Sequence, residues 1–265
     1  MKPVFCVLLA AATILVPLAA ASRVGPEPYR RPHVASLQEQ RTAVTRLLSR
    51  RSPVFCGNPR GNAVALTFDD GPGPYSSRIA AILRARHARA TFFLVGNRLQ
   101  DWPDAAADDA TLGAVGNHTW SHPHLPLLAR WHVWLEVSRT QWAEAATLGS
   151  TPQLFRAPYE ERSPMTDGVV ASLGLLQVFW SVDSRDDVRH ARALRVARTV
   201  LAGLHPGAIV LLHELHPWTV RALPWILDAI RLRGLRAVTV PELLALQPPA
   251  AHQRCAYPPA HGSGD

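Results

Sequence analysis

"AVALTFDDGP", residues 63–72, decides how this chain folds. Residues 63–68 are apolar or β-favouring with no polar alternation, the pattern of a strand buried on both faces. Asp69 and Asp70 follow directly, and Gly71-Pro72 then breaks the strand into a loop. Adjacent carboxylates repel, so their placement at a strand end suggests separate jobs, one on a metal ion and one on a proton. Similar runs recur at "ATFFLVG" (90–96), "LLQVFWSV" (175–182), "AIVLLH" (208–213) and "RAVTV" (236–240). Helical periodicity falls at 77–86, 131–147, 190–203 and 218–232. Buried strands alternating with helices predict an α/β fold with a parallel sheet; periodicity does not say whether it closes into a barrel. In such folds chemistry gathers at the C-terminal ends of the strands, where Asp69, Asp70, Asp183 and His213 fall.

The 265 residues suit one large domain with appendages. "MKPVFCVLLAAATILVPLAAAS" has a lysine, an apolar run and an A-x-A-like site at Ala19 and Ala21. It reads as a signal peptide over 1–21, since Pro17 leaves the run short of the roughly 20 residues a membrane anchor needs. Residues 22–60 read as a Pro/Arg-rich linker followed by a basic amphipathic helix, with Leu37, Val44, Leu47 and Leu48 on one side. Residues 248–265 form a Pro-rich tail. Cleavage leaves Cys56 and Cys255 flanking the core, either as a bridge permitted by export or as two unrelated thiols. The net charge is +8. It draws on Arg41, Arg46, Arg50 and Arg51, and on Arg189, Arg192, Arg195 and Arg198. Export argues against nucleic acid, leaving an anionic wall or membrane surface, or simply a solvated face.

"NHTWSH" (117–122) places His118 and His122 four residues apart, so that on a helical turn both imidazoles could reach one ion. Two histidines and a carboxylate make a common divalent-metal set, with Asp70 as the candidate third ligand. With 12 histidines in the chain, close spacings also arise by chance. "HELH" (213–216) is not the H-E-x-x-H zinc motif, being one residue too short. The chain has no G-x-S-x-G elbow and no cysteine in a catalytic setting, so hydrolysis would be metal-assisted.

"TFDDGP", "HTWSH", "RAPY", "WSVDSRDD" and "IVLLH" occur in the order and spacing of the polysaccharide deacetylases, carbohydrate esterase family 4, which the chain resembles over about residues 61–247. Each motif alone is weak; the ordered set is specific. The resemblance implies a distorted (β/α) barrel of the NodB-homology type as the single catalytic domain. It also implies deacetylation of N-acetylglucosamine polymers such as peptidoglycan or chitin by metal-activated water. Position by position, it implies Asp69 as the base and Asp70, His118 and His122 as metal ligands. Arg156 would orient the base, and Tyr159 would turn its backbone N–H to the oxyanion. His213, with Leu211 ahead of it in the L-x-H motif, would be the acid, and Asp186 its tuning partner; Trp120, Trp180 and Leu211 read either as core packing or as walls of the acetyl pocket. His124, His205 and His216 carry no assignment. Zinc is the first expectation for the ion, with cobalt or nickel as alternatives.

The chain departs from the family pattern at Asp187, where the family has tryptophan, and at Glu160, where glycine often follows "RAPY". Asp187 could compete with Asp186 for His213, and Glu160 could narrow the groove. The expected partners are an N-acetylated polysaccharide and an anionic cell wall, with no nucleic acid and no membrane span after signal cleavage. The expected location is secreted or wall-associated. Acetylxylan esterase activity and a non-catalytic wall-binding role are the alternatives.

Overall fold

The computed structural model describes residues 34–250 and Cys255. The expected signal peptide, the first part of the linker and most of the tail lie outside the described residues. Eight parallel strands form the sheet: β1 (Ala63–Gly71), β2 (Ala90–Leu94), β3 (Gly113–Asn117), β4 (Leu154–Phe155), β5 (Leu176–Gln177), β6 (Val182–Asp183), β7 (Ile209–His213) and β8 (Arg236–Val238). Their order is β5-β4-β3-β2-β1-β7-β6, with β8 paired to the first residues of β1. The helices are α1 (Leu37–Leu48), α2 (Ser76–Ala85), α3 (Pro103–Leu112), α4 (Arg130–Leu148), α5 (Pro164–Ser172), α6 (Ala193–Gly203), α7 (Pro217–Leu232) and α8 (Val240–Leu246).

The run "LLQVFWSV" is not one strand, as the sequence suggests, but two on opposite edges of the sheet. Residues between β5 and β6 carry the chain from one edge to the other. Val178 N–H donates to Phe155 O (2.9 Å), Phe179 N–H to Val54 O (2.7 Å) and Ser181 N–H to Ile209 O (3.0 Å). The sheet therefore curls onto itself and is closed by an irregular segment, which makes it a distorted (β/α) barrel. The run at 236–240 also ends early, at Val238, because the Thr239 side chain accepts from Glu242 N–H and caps α8.

Alternation along β1 sends Val64, Leu66 and Phe68 outward against Ile79 and Leu83 of α2, Val200 of α6 and Ile226 of α7. Ala63 and Ala65 belong to the second apolar cluster with Phe93, Phe155, Phe179 and Leu211. Both faces are buried, which is why the strand reads as apolar throughout. α1 starts at a capping box, Ser36 with Glu39, and buries Gln40, Ala43, Val44 and Leu47. Leu37, assigned to that face from the sequence, is 69% exposed. Cys56 and Cys255 are disulfide-bonded, resolving the two open readings of these thiols in favour of a bridge.

Candidate active site at the C-terminal ends of the strands

Alternation alone would put Asp69 and Asp70 on opposite faces of β1. Two local features bring both to one opening. The register with β2 slips between Asp69 and Gly71, and Asp70 adopts φ 68°. A bulge with a left-handed residue re-aims a side chain, and a non-glycine residue held there stores strain that its surroundings must support. Thr119 (φ 69°), His122 (φ 58°) and Tyr159 (φ 55°) share this conformation around the same opening.

The cleft, about 320 Å³, is lined by Asp69, Asp70, His118, His122, Tyr159, Trp180, Leu211 and His213, together with Ala157, Glu160 and Asp187. Arg156 and Asp186, fully buried, stand directly behind it. The ten residues given a candidate role in the site thus converge, whereas Asp183 does not join them.

Asp69 Oδ1 accepts from Arg156 Nη1 at 2.7 Å. The same nitrogen donates to Thr67 Oγ1 (2.8 Å), Nε donates to Val178 O (2.9 Å) and Nη2 to Phe179 O (3.1 Å). The guanidinium also lies over the Phe93 ring at 4.2 Å. A buried arginine bonded on all three nitrogens is a fixed charge, and it fixes the carboxylate it meets.

His118 Nδ1 donates to the carbonyl of Arg156 at 2.8 Å, which leaves the Nε2 lone pair facing the cleft. Asp70 Oδ1 lies 3.5 Å from His118 Nε2 and 3.2 Å from His122 Nε2. Metal–ligand bonds of about 2.0–2.2 Å put tetrahedral ligand atoms about 3.3–3.6 Å apart, so this spacing fits a shared ion. The three ligand atoms all lie within 4.8 Å of one another, and Asp70 Oδ1 is buried without a hydrogen-bond donor among the described residues. The electrostatics favour deprotonated Asp70 and His122. Burial pushes the Asp70 carboxyl up, but His118, His213 and His122 outweigh it and hold it well below the usual range. Burial and the neighbouring His118 push His122 down to about 4. These residues could hold a divalent cation.

Opposite them, His213 Nδ1 meets Asp186 Oδ1 at 2.6 Å, and His213 N–H donates to Asp186 Oδ2 at 2.9 Å. Burial would lower the His213 pKa, but the charge and hydrogen bonds of Asp186 raise it to about 10. Thr219 Oγ1 donates to Asp186 Oδ2 (2.6 Å) and Trp218 Nε1 to Asp186 O (2.5 Å). Asp187 does not compete for the imidazole: Asp186 engages its Nδ1 through Oδ1 and the His213 backbone N–H through Oδ2, while Asp187 lines the cleft. Asp183 accepts from Arg185 N–H (2.7 Å) within the loop and does not enter the cleft lining.

Several supporting residues escaped the sequence reading. Glu136 of α4 accepts from Trp120 N–H (3.0 Å), Ser121 N–H (2.8 Å) and Ser121 Oγ (3.0 Å), pinning the loop between the two histidines. Asn117 donates to Val137 O and accepts from Thr119 N–H. His124, unassigned from the sequence, stacks on Tyr159 at 4.0 Å and pairs with Glu161. No local pattern marks Glu136, because its partners lie 15 and 16 residues away. The offset of Asn117, one residue before His118, was the one available signal.

The family model for polysaccharide deacetylase matches residues 57–178. A peptidoglycan-N-acetylglucosamine deacetylase of Listeria monocytogenes is 34% identical over 182 residues, 68% of this chain and 38% of that protein. A chitooligosaccharide deacetylase of a Bradyrhizobium species is 34% identical over 198 residues, 68% of this chain and 90% of that protein. The chain therefore spans well under half of the Listeria protein but nearly all of the rhizobial one. Among solved structures, the Bc1960 peptidoglycan N-acetylglucosamine deacetylase superposes with TM-score 0.70 at 29% identity, covering 74% of this chain and 94% of that one. BA3943 of Bacillus anthracis, a pseudoenzyme of carbohydrate esterase family 4, superposes with TM-score 0.69 at 26% identity, covering 73% of this chain and 69% of that one. Likeness of fold is thus shared by active and inactive proteins, while the extent and identity of the match to the rhizobial protein settle the family: this chain belongs to the polysaccharide deacetylases of carbohydrate esterase family 4.

Proposed function

We propose that the chain is a secreted, metal-dependent deacetylase that hydrolyses the acetamide of N-acetylglucosamine units in peptidoglycan or chitin-like polymers. One observation carries this reading. A three-ligand cluster sits beside an arginine-held carboxylate and across from a carboxylate-held imidazole, all in one cleft. Asp70, His118 and His122 would hold the cation, zinc before cobalt or nickel. Such a cation lowers the pKa of a water and polarises a carbonyl oxygen.

The chain's own groups do the rest. Asp69, fixed by Arg156, accepts the proton of the attacking water. The Tyr159 N–H donates to the oxygen that becomes negative as the carbonyl carbon turns tetrahedral; one such donor is typically worth about 3–4 kcal/mol. Leu211 and Trp180 wall the space for the acetyl methyl. His213, kept protonated by Asp186, delivers a proton to the departing amine, which is a poor leaving group without it. The apolar run and small-residue site over 1–21 support export, and the curled sheet supports a single catalytic domain over 61–247.

Acetate release from chitooligosaccharides and from peptidoglycan tests the reading. Chelation should abolish it, metal add-back should restore it and identify the ion, and Asp69→Asn should lower it about 10²–10⁴-fold. Release that survives both treatments excludes the mechanism. Acetylated xylan as the better substrate would select the esterase alternative, and glycan binding without acetate from any polymer would select the non-catalytic one.

A further inference from the structure

Helix α4 carries a face that neither the core nor the cleft uses. Trp131 and Trp142 are 60% and 61% exposed, Leu127 just ahead of the helix is 82% exposed, and Trp134 is 39% exposed. Trp134 and Trp142 stand eight residues apart, yet their rings meet edge to face at 5.7 Å. On a helix, residues four and eight apart lie above one another, so the two indoles close over the small, buried Ser138 between them. Trp131 and Trp142 are separated by about 16 Å along the helix at 1.5 Å per residue. Beside this ridge runs a groove of about 340 Å³ lined by Trp120, Pro123, Leu128, His132, Leu135 and Arg139. The Trp120 ring is covered by the Arg139 guanidinium at 3.7 Å.

The groove adjoins the cleft. Trp120, Ser121 and Pro123 line the groove, while His118 and His122 on the same loop line the cleft, so the loop is their common wall. The rim continues through His124, which stacks on Tyr159, to Leu127. A contiguous exposed aromatic patch of this kind marks a binding surface. Its chemistry is specific: the exposed indoles of Trp131, Trp134 and Trp142, with the His132 imidazole against Trp131 and the Arg139 guanidinium over the face of Trp120. A pyranose presents the complement, an apolar C–H face bordered by hydroxyls, and a row of indoles matches a repeating chain of them.

We propose that this face of α4, with its adjoining groove, binds the glycan polymer outside the catalytic cleft and holds it on the protein. The proposal rests on the deacetylase reading for the identity of the glycan, but it concerns affinity and not the chemical step.

The test uses the full chain and a Trp131→Ala/Trp142→Ala double variant. Cosedimentation with insoluble chitin and with purified peptidoglycan, in chelator, reads binding without turnover. Acetate release from the same polymers and from soluble chitotetraose reads activity. The expected result is polymer binding weakened roughly thirtyfold, the size of one interface hot spot, with kcat/KM lowered on polymer and unchanged on chitotetraose. The Trp131→Phe/Trp142→Phe variant, which keeps the planar rings, should retain binding. Wild-type polymer binding by the alanine variant, equal losses on polymer and chitotetraose, or tryptophan-dependent binding to anionic vesicles with polymer binding untouched would each overturn the proposal. Acetate release with the alanine variant binding normally overturns this proposal alone. Tryptophan-dependent polymer binding with no acetate from any substrate overturns the deacetylase reading and upholds this one.

Discussion

Asp69 and Asp70 are neighbours in sequence, yet each answers to a different group. Asp69 is held at 2.7 Å by Arg156, whereas Asp70 faces two imidazole nitrogens at 3.2 and 3.5 Å. Their substitutions should separate accordingly. Asp70→Asn should strip bound metal, and Asp69→Asn should keep it while losing turnover; metal content by mass spectrometry distinguishes the two. The His213–Asp186 pair makes a prediction with a sign. Asp186 holds the imidazole pKa at about 10 against burial, which alone would lower it. Without that charge the acid form is lost at lower pH, so Asp186→Asn should move the alkaline limb of kcat/KM toward acid. An unmoved limb would assign it to another group. The chemical residue types here were legible in the sequence; their relative positions were not, since a left-handed φ at Asp70 is invisible to pattern.

At the scale of elements, the loop carrying the proposed metal ligands His118 and His122 depends on a helix that follows it in the chain. Glu136 takes three hydrogen bonds from Trp120 and Ser121, while Thr119 and His122 sit at positive φ. Residues that orient ligands typically contribute 10–100-fold to metal affinity, so Glu136→Ala should weaken binding by about that factor and be rescued by excess metal. Calorimetric titration of the apo protein measures it. The Cys56–Cys255 bridge ties the segment ahead of β1 to the tail, 199 residues away. Replacing both cysteines with serine should cost roughly 2–5 kcal/mol, read as a lower thermal midpoint with activity retained below it. Long elements such as α4 and α7 announce themselves by periodicity. β4, β5 and β6, of two residues each, do not, because two residues carry no period and exist as strands only through their neighbours.

The whole molecule couples a basic exterior to buried acids. Arg41, Arg46, Arg192, Arg195 and Arg198 are all exposed. Inside, burial raises the Glu144 carboxyl, which has no hydrogen-bond partner among the described residues. Burial, with the charges of Asp70 and Asp69, raises Glu214 to about 8 against its hydrogen bond from Ser76. Burial and Glu214 raise Asp109. A folded-state pKa above the unfolded value contributes stability that is complete below the unfolded pKa. For Glu214 that contribution declines as pH rises from 4.5 through about 8. His213 acts in the same direction, up to about 10. The apo protein should therefore melt at a lower temperature at pH 9 than at pH 5. Glu144→Met should raise the midpoint more at pH 9, by an amount that grows about 1.4 kcal/mol for each unit of pKa shift removed. Equal gains at both pH values would show that Glu144 is not the group being ionised.

The amino-acid sequence by itself determined the class of fold, the ordered motifs and the residues able to bind a cation or move a proton, because burial pattern and side-chain chemistry are local properties. Only the tertiary structure decided that "LLQVFWSV" splits across a seam to close the barrel, that a bulge turns both aspartates into one cleft, and that Glu136 and the α4 tryptophans border it. Each of these depends on which distant segments compete for the same backbone hydrogen bonds and the same space, and that competition is resolved when the chain packs.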